Sequence, residues 1–390
     1  MTAEPAPELA LLLMASSPNA LASSSAPVLE HLARQPIRWD LLYQLAAKHR
    51  VIPVLYQTLR PLSVVPIAML ASLQQECRAI AVDNLLKLRE YQQVADLLTQ
   101  HGIDHIAFKG IYLARSAYPS SSLRSIGDLD LLVDRLKLHE AIQLLQDFGY
   151  TLGRQYQHYQ RYPEPLLLAD LHEVSLYKPA SAGSWFDIDL HWEVNCLFKE
   201  LSSLQLDDVR LPADRVLENQ VVLLVVHHGL INLWQRLGYV NDLYFLLQSG
   251  AVDWHWLLDR LATYQVKAIF LVGLHWCQQR GGLRLPAFVE WQLDQEAVAQ
   301  LAQVYERTWG QVELLPADSM GLNQVRLMAS TQARWQERLN LYRAYAQSFV
   351  FRSKLIMFNQ RPYYIARRWG PLTALGRGVR FLYRRLVPGH

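Results

Sequence analysis

Cysteine is scarce: the 390 residues hold three, Cys77, Cys196 and Cys277. They lie far apart and form no CxxC pair, so they offer neither a zinc-ligand spacing nor a disulfide framework. A reducing, cytoplasmic compartment is the expectation. No run of 18 or more uncharged apolar residues occurs, which predicts no membrane-spanning helix. The short apolar run "LALLLMASS" follows Glu4 and Glu8 with no basic residue before it, which argues against a secretory signal. No repeat of fixed period is visible. Acidic residues are missing from one place. Residues 341–390 carry ten Lys or Arg and no Asp or Glu, which leaves the first 340 with 28 bases against 35 acids. A basic tail on an acidic body suggests an anionic partner for the tail.

What is present is ample apolar content, 51%, enough for a sizeable core and more than one domain. Residues 1–27, rich in Ala, Pro and Ser, read as a flexible leader. Residues 28–103 have helical apolar spacing and end in a pattern of about ten turns that stops at Gly102. The texture then changes. "HIAFK" reads as a strand, "IYLARSAY" as a short helix, "DLDLLV" as a strand and "RLKLHEAIQLLQDFGY" as an amphipathic helix. "LADLHEVSLYKP" and "WFDIDLHWEV" read as a hairpin. Residues 104–195 are therefore expected to form a small mixed-sheet domain. A helical domain at 196–340 and the tail at 341–390 follow, with helix expected from 325 to about 357. The fold class is α+β.

Two strands carry the chemistry. In "DLDLLV" the alternation places Asp128, Asp130 and Leu132 on one face and Leu129, Leu131 and Val133 on the other. In "FDIDLHWEV" it places Asp187, Asp189, His191 and Glu193 together, opposite Phe186, Ile188, Leu190, Trp192 and Val194. If the strands are neighbours, Asp128, Asp130 and Asp189 converge. Three convergent carboxylates repel one another in a low dielectric, and a divalent cation relieves that. Oxygen ligands with open positions suit Mg²⁺, which keeps waters and takes substrate phosphates. The bland alternative is an exposed strand end after a Gly-Asp turn.

The pattern "FKG…LRSIGDLDLLV…FDIDLHW" resembles an uncharacterised bacterial nucleotidyltransferase family of the polymerase-beta type, over roughly residues 40–290. The resemblance implies transfer of an NMP from an NTP to an acceptor (a small molecule, a protein or an RNA), with Mg²⁺, or Mn²⁺ in its place, held by Asp128, Asp130 and Asp189. It implies that Asp189 orients or deprotonates the acceptor hydroxyl, with Asp187 as the rival for third ligand. Gly110 would meet the nucleotide phosphates at a helix N-terminus. The chain departs from the superfamily where Lys-Gly stands in place of Gly-Ser. Lys109 and Arg124 are expected to contact the triphosphate, and His191 to bind phosphate, relay a proton or steady Asp189.

Other classes compete. A degenerate fold acting as a binding or scaffold module is one. A metal-dependent phosphohydrolase using the same acids with His191 or His172 is another. One of His227 and His228 is expected to face inward as a core histidine, and Asp242 to cap or pair locally. The tail, read as a basic amphipathic helix, fits a packed surface segment, peripheral contact with the inner membrane surface, or nucleic acid.

Overall fold

The computed structural model describes residues 6–21, 25–154, 156, 171–180, 184–194, 203–294 and 296–314, with shorter stretches between 322 and 375. The chain opens with helices α1 (Pro7–Ala15), α2 (Ala26–Ala33), α3 (Trp39–His49), α4 (Ile52–Leu59) and the long α5 (Ile67–Gln100). The 3.6-residue period of the sequence predicts α5 almost to its ends, and the turn beyond it uses Gly102 at φ +66°. Next come β1 (His105–Ala107), α6 (Lys109–Ser116), β2 (Leu129–Val133), α7 (Leu138–Asp147), β3 (Thr151–Leu152), β4 (Glu173–Pro179) and β5 (Trp185–His191). The strands form one mixed sheet in the order β1-β2-β5-β4-β3. Only β2 and β5 pair in parallel; the other neighbours are antiparallel. The α+β class is as the sequence predicts. The two-residue edge strand β3 is too short to leave a periodic signal.

Downstream lie α8 (Leu206–Arg210), α9 (Val216–Leu224), a π-helical segment over Val225–Ile231, α10 (Leu237–Gln248), α11 (Trp254–Thr263), α12 (Lys267–Gly281), α13 (Ala287–Leu293), α14 (Glu296–Glu306) and α15 (Trp335–Val350). Among the described residues no helix is long and apolar enough to cross a membrane.

Two apolar cores hold the fold. One joins Leu129, Leu131 and Val133 of β2 and Ile188 and Leu190 of β5 to Val94 and Leu98 of α5 and to α7. The other is larger and unites the helices before the sheet with those after it, from Leu11 and Leu12 to Leu341. Leu132, on the Asp130 face of β2, belongs to this second core, as does Phe108. The acid-bearing face of the sheet thus abuts the helical body, and the two helical regions flank the sheet as one mass. Alternation fails at Val194. Past the end of β5 it joins the helical core instead of following Ile188 and Leu190.

Three expectations are corrected. The leader is not loose over its helix α1. Leu11, Leu12 and Ala15 are fully buried there, and Glu8 accepts from Arg38 Nε at 2.8 Å. A largely apolar helix of nine residues is stable once a neighbouring core covers it. The boundary drawn at 340 falls inside α15. The tail is not helical throughout: β6 (Lys354–Phe358) and β7 (Arg361–Ile365) pair antiparallel. Pro362 cannot continue a helix, and "KLIMF" and "RPYYI" are short apolar runs whose period cannot tell strand from helix. Most of 366–390 lies outside the described residues.

One close approach sets the geometry used below. A Cβ on Gly238, in the first turn of α10, would sit 2.7 Å from the His49 carbonyl oxygen and 3.4 Å from that of Arg50. Backbone cannot yield as a flexible side chain does. Gly238→Ala should therefore lose about 1–3 kcal/mol, read as a lower urea midpoint with an unchanged slope. An unaltered midpoint would mean α3 and α10 can separate without cost.

Candidate active site

The register of β2 on β5 builds the site. Asp130 is the direct partner of Asp189, and Leu132 of His191. On the other side of β5, Glu173 faces His191 and Ser175 faces Asp189. One sheet face therefore carries Asp130, Asp187, Asp189, His191, Glu173 and Ser175, with Asp128 just before β2. Asp130, Asp189 and His191 each offer a ligand atom within 4.8 Å of the others, a group that could hold a metal ion.

The sequence-predicted acids are thus brought together, with differences of environment. Asp130 is fully buried and Asp128, Asp187 and Asp189 are half-buried. Burial pushes the Asp130 carboxyl up to about 7, with Lys109 opposing and Asp128 adding to the shift. Burial pushes Asp189 up to about 8; the Ser175 hydroxyl, donating at 2.6 Å, opposes this, and Glu173 and Asp130 add to it. Asp187 rises to about 6, from burial first and then from Asp128 and Asp130. Asp128 alone of the four is lowered: burial would raise it, but Lys109, a backbone hydrogen bond and Arg50 outweigh that. Asp130 Oδ2 and Asp187 Oδ1 are buried without a hydrogen-bond partner. Orphaned carboxylate oxygens beside crowded acids are what a divalent cation satisfies, so the donor set fits a metal.

Lys109 stands at the centre of this charge. Its Nζ lies 2.6 Å from Asp130 Oδ1, nearly buried. Burial would strip the ammonium of its proton, yet Asp130 and Asp128 more than offset this and raise its pKa. Lys109 also carries the strained turn: its φ is +54°, whereas Gly110 is an ordinary second residue of α6. A Cβ on Gly110 would meet nothing closer than 3.8 Å. Packing inside the chain therefore does not demand glycine there.

His191 is buried, its Nε2 3.1 Å from Asp130 Oδ1 and its Nδ1 3.1 Å from Glu173 Oε2, the latter not aligned as a hydrogen bond. Burial, then Lys109, depress its pKa to about 3, so it is a neutral imidazole. His172 sits with its ring 6.4 Å from that of His191. Glu173 and Ser175 were missed in the sequence, although "EVSLYK" alternates as cleanly as the strands that were read.

Arg124, expected to contact the triphosphate from its place beside the motif, is engaged by a buried carboxylate. Its Nε and Nη2 donate to Asp242 Oδ1 and Oδ2 at 2.7 and 2.9 Å, and Nη1 donates to the Ser125 carbonyl. Asp242 is fully buried and pairs over long range, not locally. It also accepts from Tyr118 Oη at 2.7 Å and from His228 Nε2 at 2.9 Å. Burial would raise its pKa, but Arg124 and His228 hold it well below the usual carboxylate range. An ionised Asp242 fixes the tautomers beyond it. His228 carries its proton on Nε2, so its Nδ1 accepts from His227 Nδ1 at 2.9 Å, which leaves His227 Nε2 with a lone pair facing Asn232 Nδ2 at 3.3 Å. His228 is the inward core histidine. His227, half-buried between buried neighbours, lies on the π-helical segment. Such segments are rare and favour functional sites.

The sheet, its acid-bearing face and the helical cover define an α+β protein with a buried Asp–Asp–His group able to hold a metal ion. The chain belongs to the family described as uncharacterised nucleotidyltransferase, which it matches over residues 35–282, well over half its length. No curated protein and no solved structure is significantly similar to it.

Asp242→Asn should cost about 3–5 kcal/mol at pH 7, because Arg124 would stay buried without its counter-charge. The depressed carboxyl contributes stability that is complete above the unfolded value near 4 and is lost as pH falls toward the lower folded value. In urea unfolding the gap between wild type and variant should thus hold from pH 7 to about 5 and narrow below about 4. A gap independent of pH would deny that the charge matters.

Proposed function

We propose that this protein is a metal-dependent nucleotidyltransferase that moves an NMP from an NTP to a hydroxyl acceptor and releases pyrophosphate. The observation that supports this best is the Asp130–Asp189 pair, side by side in the β2–β5 register with buried, unpartnered carboxylate oxygen at its centre. Asp128, Asp130 and Asp189 would hold the divalent ion, Mg²⁺ or Mn²⁺. Such an ion neutralises triphosphate charge and activates the acceptor hydroxyl.

The remaining roles belong to the chain. Lys109, by its 2.6 Å contact, opposes the burial that raises Asp130 and places a positive charge where phosphate oxygens gather. Gly110, at the start of α6, leaves backbone N–H groups open to a phosphate. Asp189, oriented by the Ser175 hydroxyl, positions the acceptor oxygen and takes its proton. That oxygen bonds to the α-phosphorus as the bond to the bridging oxygen breaks, and the electron pair leaves with pyrophosphate. Demands of this kind are mostly positioning and charge neutralisation, which rigid sheet positions meet. His191, neutral and buried, steadies Asp130 instead of binding phosphate.

Incubation of the full chain with Mn²⁺ and α-labelled NTP tests this. Label should appear on an acceptor, with equimolar pyrophosphate. Asp130→Asn and Asp189→Asn should lose the reaction by more than about 100-fold, and Asp187→Asn by about 10-fold, the size of a supporting residue. Release of inorganic phosphate instead would make the protein a phosphohydrolase. An absence of metal-dependent NTP binding, unchanged by Asp130→Asn, would leave the binding or scaffold reading.

A further inference from the structure

Both cations expected to meet the triphosphate are already engaged, Lys109 by Asp130 and Arg124 by Asp242. A nucleotide carries three to four negative charges, so a site built for it needs others. The helical body supplies two. Arg50 follows α3 in the left-handed conformation, φ 57° and ψ 39°, which is costly for a residue with a Cβ and tends to persist where function needs it. Its guanidinium lies against Gly127, with Nη1 3.7 Å and Nη2 3.9 Å from where a Cβ of that residue would stand. The next residue is Asp128. Arg236 precedes α10 in extended conformation, with its guanidinium 5.7 Å from the Tyr239 ring.

The two arginines are brought together by the same joint. His49, the last residue of α3, accepts from the Leu237 N–H at 3.0 Å through Nδ1, and its Nε2 then donates to the Trp309 carbonyl at 2.9 Å. Gly238 allows the first turn of α10 to press on the His49 and Arg50 carbonyls. Arg50 and Arg236 are far apart in sequence, and each is adjacent to this contact. Among the described residues neither forms an ion pair with a carboxylate. Arg236 is half-buried, and its charged form is disfavoured by burial and then by repulsion from Arg50 and Arg124, partly offset by Tyr239 and Asp128. Each arginine is held at the joint between α3 and α10, and Arg50 reaches the loop that carries Asp128, so an anion bound there would offset the repulsion that Arg50 exerts on Arg236. The positive end of α10 is at the same place.

We propose that Arg50 and Arg236 form a polyphosphate clamp, which holds the β- and γ-phosphates of the nucleotide while the acid cluster addresses the α-phosphate. This rests on reading the acid cluster as an NTP site. Guanidinium forks suit the role because they bind phosphate oxygens in pairs.

Calorimetric titration of the full chain with ATP, AMP and tripolyphosphate, each with Mn²⁺, tests the clamp. Arg50→Gln and Arg236→Gln should each weaken ATP and tripolyphosphate on the order of tenfold and leave AMP within about twofold. Arg50→Lys should recover part of the loss, as charge without the fork. Thermal melting should show both Gln variants folded, since neither side chain fills a core. If the double Gln variant binds ATP as wild type does, or loses AMP as much as ATP, the clamp is wrong. If wild type binds tripolyphosphate through the arginines but gains nothing from the nucleoside or from Asp130, the clamp stands and the nucleotidyltransferase reading falls. Binding of neither ligand overturns both.

Discussion

Asp130 and Asp189 are neighbours because β2 and β5 run parallel in one register, and most of the site follows from that pairing. A slip of one residue would turn Asp130 toward the core of Leu129 and Leu131 and send those leucines to the cleft. The pattern resists this strongly. Leu129, Leu131, Val133, Ile188 and Leu190 are all fully buried against α5 and α7. The apolar face thus fixes the position of the polar one. Burial of ordinary leucines holds a cluster of carboxylates together against their repulsion.

That repulsion is met by fixed cations. Lys109 balances Asp130 inside the sheet domain, and Arg124 balances Asp242 at its junction with the helices. Each pair is buried, so neither is a source of net stability in itself; the desolvation of both partners offsets most of their attraction. What each pair gives is position. Arg124 lies four residues before Asp128, and Asp242 is on α10, so their bidentate contact ties the acidic loop to the helical wall. Asn84 adds a second tie from α5, donating to the Ser121 and Arg124 carbonyls and accepting from the Ile126 N–H. The loop before Asp128 is long in sequence yet held along its length.

Much of this was legible in the sequence, and the misses share a cause. Period-2 alternation in "DLDLLV" and "FDIDLHW" is a local property, so the faces of both strands could be read directly. Which strand lies beside which cannot be read that way, and the convergence of the acids remained conditional on it. The partner of Arg124 is 118 residues away, so nearness to a motif suggested a ligand where the fold supplies a carboxylate. The contact of Lys109 with Asp130 was not legible, since it depends on a φ of +54° that no residue type announces. Asp187 and Asp189 share a face and a spacing, and only the pairing partner separates them. Asp189 faces Asp130 and is bonded by Ser175, whereas Asp187 faces Tyr177 across β4. The leader was misread for a related reason: a short apolar helix is stable only where a distant surface waits for it.

The wall opposite the acids is assembled from segments that the sheet domain separates. Arg50 comes from before the sheet, and His227, Arg236 and Asp242 from after it. A single core from Leu11 to Leu341 makes those segments one body. The sheet domain is therefore an insertion whose entry and exit are both clamped by the helices it interrupts. This arrangement has a consequence for motion. A cleft between two free domains opens by rigid rotation about a linker, but here at least three kinds of tie cross the cleft: Arg124 to Asp242, Gln220 to the Ala107 carbonyl at 3.0 Å, and Leu132 and Phe108 in the helical core. Opening would break a buried charge pair and expose apolar surface together, which favours a site that is largely preformed. Preformed electrostatics are what a reaction dominated by charge neutralisation requires, since dipoles and charges already in place cost no reorganisation when the substrate arrives.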